Sequence, residues 1–95
     1  MITVEYTQNA RPMTDQESLE FGWKLARNPR DFQVPNELSI LSLRLAVKDN
    51  LIKHNEVQIL FEGQIITIEP DGSIRTWPVG FCDHSDILFE RLFDL

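Results

Sequence analysis

Residues 37–53 constrain this chain more than any other stretch, because they run seventeen residues without glycine or proline. Leu41, Leu43, Leu45 and Val47 alternate with Ser42, Arg44, Ala46 and Lys48, the period-two signature of a half-buried strand. Against that, strands are commonly about 5–6 residues long. Asn36, directly after Pro35, is a good helix N-cap, and Leu, Arg, Ala and Lys are strong helix formers. A helix here would place Arg44 and Lys48 near the middle of its apolar arc. Periodicity favours strand; length and capping favour helix.

The flanks are easier to read. Residues 1–7 alternate and are rich in β-formers, which predicts an N-terminal strand. Thr14 with Glu17 forms the capping-box pattern, so a helix is expected from there to about Ala26, with Leu19, Trp23 and Ala26 as its apolar stripe. Asn28-Pro29 stops it, and 28–35 reads as a connector between two prolines. Val57, Ile59 and Phe61 mark a strand, Glu62-Gly63 a tight reversal, and 65–69 the returning strand. Pro70-Asp71-Gly72-Ser73 is a turn in which proline presets φ, Asp caps and Gly supplies positive φ. Residues 74–77 are expected as a third short strand and 86–93 as a closing helix, with Leu88, Phe89, Leu92 and Phe93 as its apolar side. No repeat, low-complexity tract or inter-domain linker interrupts the 95 residues, which read as a single domain.

Charge narrows the function classes. The net charge is −6, yet residues 1–48 carry six acids against six bases. The whole excess therefore lies in 49–95, where only Lys53, Arg75 and Arg91 oppose nine acids. A negative half repels phosphates, so direct nucleic-acid binding is not expected, despite the small basic group of Lys24, Arg27 and Arg30. No apolar run approaches the ~18 residues of a membrane span. The N-terminus has neither the basic flank nor the apolar core of a signal peptide. A lone cysteine, Cys82, fits a reducing compartment. The expectation is a soluble cytoplasmic domain.

The chemistry-bearing residues are sparse. None of Gly22, Gly63, Gly72 or Gly80 belongs to a phosphate-binding loop. Cys82, Asp83 and His84 form one cluster and His54 stands apart, too few ligands for a zinc site. Cys82 with His84 as base is the one nucleophile arrangement on offer, but no neighbouring cation lowers the thiol pKa, and a packed cysteine is the better reading. The carboxylate pairs Glu17/Glu20 and Asp83/Asp86 stand at helix starts, where negative charge offsets the macrodipole. No catalytic residue, metal, cofactor or small-molecule substrate is assigned. The aromatic turn Trp77-Pro78-Val79-Gly80-Phe81 reads first as a seal between sheet and last helix, and second as a binding anchor.

Three strings resemble a known family: 36–52 with its Leu/Arg-rich series, 68–74 with Pro70-Asp71-Gly72-Ser73-Ile74, and above all Trp77-Pro78-Val79-Gly80-Phe81-Cys82-Asp83. Their order is similar to the C-terminal tail of RecF-like AAA (ABC-type) ATPases, such as those of bacterial anti-phage defence. The resemblance covers about residues 36–93 and leaves 1–35 as an unassigned strand and helix. The family's Walker and signature motifs have no counterpart here, Leu38 falls where the switch histidine stands, and Cys82 replaces a phenylalanine. No catalytic role carries over. The resemblance does imply a helix for 37–53.

The expected fold is therefore α+β: an N-terminal strand, two helices, an antiparallel three-stranded β-meander and a C-terminal helix. The expected role is a non-catalytic protein-interaction module, accessory to or decoy for such an ATPase. The alternative is a phage- or mobile-element-encoded acidic inhibitor of a host defence system. Candidate interface or anchor residues are Leu41, Leu45, Trp77, Pro78, Phe81, Phe89 and Phe93. A helix over 37–53 carries more apolar surface than one small sheet can cover, so a homodimer or a protein partner is expected.

Overall fold

The computed structural model describes residues 1–76 together with Pro78, Gly80 and Phe81. Its elements run β1 (Ile2–Tyr6), α1 (Asp15–Arg27), β2 (Phe32–Val34), α2 (Glu37–Lys48), a 3-10 turn at His54–Glu56, β3 (Val57–Phe61) and β4 (Gln64–Thr67). They form a small α+β fold with two helices and a mixed four-stranded sheet in the order β2-β1-β3-β4.

The sheet differs from the expected meander. β1 is central and parallel to both β2 and β3, and only the β3–β4 hairpin is antiparallel. Residues 74–76 are not a strand. The expected closing helix over 86–93 lies outside the described residues. β2 falls inside the segment read as a connector; three residues between Pro29 and Pro35 are too few to show a period.

One face of the sheet is apolar. Ile2, Val4 and Tyr6 line up with Phe32 and Val34 on one side and with Val57, Ile59 and Phe61 on the other. Both helices cover this face, joining it in one core with Phe21, Leu25, Ile40, Leu43 and Val47. The opposite face carries Thr3, Glu5, Gln33 and Gln58, tied across strands by Gln58 Nε2 donating to Thr3 Oγ1 at 3.1 Å and Gln33 Nε2 to Glu5 Oε1 at 2.9 Å. The crossovers β1-α1-β2 and β2-α2-β3 step in opposite directions over a single face. They are therefore of opposite hand, and one has the left-handed form that βαβ units rarely adopt.

Segment 37–53 is helical, but only as far as Lys48. Asn36 Oδ1 accepts from the Ser39 amide at 2.9 Å, and Asn50, at φ 61°, turns the chain out of the helix. Ser39 through Arg44 are all buried, as are Ala46 and Val47. Much of the apolar surface of α2 is thus buried within this chain, and Leu45 is half-buried. Arg44 sits mid-arc as the helical reading requires, wholly shielded from water, with Nε donating to the Gly72 carbonyl at 2.8 Å.

The local turns follow their sequence. Glu62 and Gly63 both take positive φ, 49° and 79°, the two-residue hairpin turn that matches strand twist. At Gly72, φ is 85°, and Asp71 Oδ1 accepts from the Ser73 amide at 3.0 Å. Those bonds, the Ser73 hydroxyl's first, hold the Asp71 carboxyl below its ordinary range.

Candidate interaction surface

Helix α1 is fastened at both its start and its middle. Thr14 Oγ1 accepts from the Glu17 amide at 3.1 Å, and Glu17 Oε1 accepts from the Thr14 amide at 3.0 Å, closing the capping box. These bonds depress the Glu17 pKa, with Arg11 and Lys24 adding to the effect. Ser18 joins this cap to the next helix, since Asn36 Nδ2 donates to Ser18 Oγ at 2.9 Å. In mid-helix the Gly22 amide donates to Ser42 Oγ at 2.9 Å, and Ser42 Oγ donates to the Leu19 carbonyl at 2.8 Å. A Cβ on Gly22 would stand 2.3 Å from the Ser42 carbonyl oxygen, so only glycine permits this approach.

The close contact fixes which way α1 faces. Ser18, Phe21, Gly22 and Leu25 point inward. Phe21 meets Phe32 at 5.4 Å between ring centroids. Two residues of the stripe expected inside point outward instead, Leu19 being 58% and Trp23 50% exposed, whereas Ala26 is half-buried against the core. The expectation chose the larger apolar side chains. The true inner stripe follows the same i, i+3, i+4, i+7 spacing but includes two small residues, because a helix that approaches its neighbour this closely needs them. That Ser18–Gly22 pair was the available signal.

The outward face is ordered by its own contacts. Arg27 lies over the Trp23 ring, 4.8 Å from its centroid. Lys24 Nζ is 3.1 Å from Glu20 Oε1, and Gln16 Nε2 donates to Glu20 Oε2. The Gln16 bond, then that of Lys24, lowers the Glu20 pKa. Elsewhere among the described residues Met1, Leu51 and Ile65 are exposed, at separate places in the fold. Among the described residues, only α1 presents two large apolar side chains together on one helix.

One groove, of about 690 Å³, runs beside β2. Its carboxylates are engaged: Glu17 with Arg11 at 3.5 Å and in the capping box, Asp31 with the Thr3 amide at 2.8 Å, Glu5 with Gln33. A second hollow of about 450 Å³ lies at the ends of β1 and β3, with Glu5 and Glu62 as its charged lining. That position, beside the strand where the order reverses, is where open α/β sheets usually bind ligands. The usual crevice forms as successive loops part to opposite faces, whereas here both helices take one face. The lining offers no cation, and the loop 7–13 has no glycine to present converging amides. No group of three metal-ligating side chains occurs among the described residues. Their buried polar side-chain atoms all have partners. Cys82 and His84 lie outside the described residues.

Of the expected anchors, Leu41 is buried, Leu45 and Pro78 are half-buried, and Phe81 is fully buried. Phe81 packs on Phe61 and Tyr6, at 5.0 and 5.7 Å between ring centroids, and so closes the apolar face at the ends of β1 and β3. Trp77, Phe89 and Phe93 lie outside the described residues. Of the second half's acids among the described residues, Asp49, Glu56, Glu62 and Asp71 are exposed and Glu69 is half-buried. No described helix is long and apolar enough to cross a membrane. No family model, curated protein or solved structure matches the chain.

Proposed function

We propose that this chain is a non-catalytic protein-interaction module that docks through the outward face of α1, as an accessory to or decoy for an ATPase of the kind residues 36–93 resemble. The observation that carries the reading is the solvent exposure of Leu19 and Trp23 on a helix whose other face is locked into the core. Tryptophan and arginine are both among the residues enriched where binding energy concentrates. A rigid helix also loses little entropy on docking.

A photo-crosslinking residue placed at position 19 or 23 in the native cells tests this. Covalent adducts of defined mass at these positions, and none from a control position on the open sheet face such as 33, are the expected result. Absence of any adduct at 19 and 23 overturns the reading. An adduct containing a nucleotide-binding ATPase supports the accessory role. The acidic-inhibitor alternative rests on the exposed Asp49, Glu56 and Glu62. It predicts crosslinks from those positions instead, to a basic surface.

A further inference from the structure

We infer that the first partner of the α1 face is a second copy of this chain, docked through an antiparallel α1–α1′ contact about a two-fold axis. The inference rests on the docking role of α1 proposed above and names its occupant. Successive residues turn by 100° about a helix axis. On that projection Gln16, Glu20, Trp23 and Arg27 form the crest of the outward face. Leu19 flanks the crest on one side and Lys24 on the other.

Charge sets the direction of pairing. Acidic Asp15 and Glu17 occupy the first turn of α1, and basic Lys24 and Arg27 the last. A parallel pair would set like charge beside like charge. An antiparallel pair sets the acidic end of one helix on the basic end of the other and opposes the two macrodipoles.

The positions of the side chains then agree with one axis, passing between residues 21 and 22. About it, Gln16 faces Arg27 of the second copy and Glu20 faces Trp23. The two-fold keeps each flank on its own side. Leu19 therefore meets Trp23 of the second copy along one flank, and Glu20 meets Lys24 of the second copy along the other. Each apolar and each charged contact is made twice, as an isologous interface requires. The intrachain Glu20–Lys24 bridge, at 3.1 Å, needs only to be shared to make the contact between chains.

The size of the contact sets its strength. Thirteen residues at 1.5 Å each make a helix of about 20 Å, so the buried area falls below the roughly 1,200 Å² of stable complexes. A contact this small is expected to form a weak, reversible dimer.

Sedimentation equilibrium from low to high micromolar concentration tests the inference, with circular dichroism as the check on folding. The wild type should pass from monomer to dimer. Glu20→Lys and Lys24→Glu should each weaken the dimer by roughly tenfold or more, because each sets like charges together across the axis. An equimolar mixture of the two variants should dimerise again, since their charges are then complementary. That rescue is specific to a Glu20–Lys24 contact between chains. A wild type that stays monomeric throughout, or variants that dimerise as well as the wild type, overturns the second-copy assignment. So does a mixture that stays monomeric. The docking role itself is judged apart from this, by the crosslinks from positions 19 and 23: a monomeric chain that still forms a heavier adduct there keeps the role and changes the partner.

Discussion

Arg44 reaches from the middle of α2 to the Gly72 carbonyl, 2.8 Å from its Nε, and ties the helix to the turn that follows β4. The side chain is wholly buried, and its charge also helps to lower the Asp71 pKa. Without the guanidinium the Gly72 carbonyl would lose this donor. An unsatisfied buried polar group costs about 1–3 kcal/mol. Arg44→Met, which preserves most of the volume, should lose about that much stability, and Arg44→Ala more because it also opens a cavity. Urea denaturation measures both. An Arg44→Met chain as stable as the wild type would show that the buried guanidinium, its bond to Gly72 included, gives no net stability.

Gly22→Ala tests the α1–α2 contact. Alanine improves helix propensity by about 1 kcal/mol over glycine. The added Cβ, however, would stand 2.3 Å from the Ser42 carbonyl oxygen and 2.7 Å from its carbon. Both are backbone atoms of a helix and cannot swing aside. Overpacking of this kind costs roughly 1–3 kcal/mol, occasionally more, so the clash outweighs the propensity. The variant should melt below the wild type. A rise in melting temperature would mean that the helices separate at little cost.

What the sequence discloses divides by range. The Thr14–Glu17 box, the Asn36 cap, the Glu62-Gly63 reversal and the Asp71-Gly72 turn were legible because each is satisfied within a few residues. The parallel pairing of β1 with β2 and β3 was not, because nothing in a strand's own alternation says which strand lies beside it. β2 is held by β1 some 28 residues away, through Thr3 and Asp31, and has too few residues to show a pattern. The candidate surface was misread for a related reason. Leu19 and Trp23 look like core by size, and only the distant Ser42, by demanding a glycine opposite, turns them outward.

Acid should weaken the fold through two carboxylates. Asp71 and Glu17 both have native pKa values below their ordinary ones, Asp71 through Ser73 and Glu17 through Thr14. The native state therefore holds these protons less tightly than the unfolded chain. The stability they contribute is complete above the ordinary carboxylate range and is lost as the pH falls through it to the lowered native values. Asp71→Asn and Glu17→Gln should each flatten that dependence. Urea midpoints measured from pH 7 down to about pH 3 check this; slopes identical to the wild type in both variants would remove these two groups from the acid response.

Trp23 and Phe21 lie two positions apart on α1 and should behave oppositely. Phe21 is 5% exposed and stacked on Phe32, whereas Trp23 is 50% exposed. Truncating a buried aromatic costs about 3–5 kcal/mol, a large share of the roughly 5–15 kcal/mol that holds a domain together. Phe21→Ala should accordingly be largely unfolded near body temperature. A surface substitution usually stays within about 0.5 kcal/mol. Trp23→Ala also gives up the stacking of Arg27, worth about 0.5–1 kcal/mol at an exposed site. Its melting temperature should therefore fall by only a few degrees, and the variant should lack a tryptophan signal that acrylamide readily quenches in the wild type. A Trp23→Ala chain as unstable as Phe21→Ala would put Trp23 in the core and remove the surface on which docking through α1 depends.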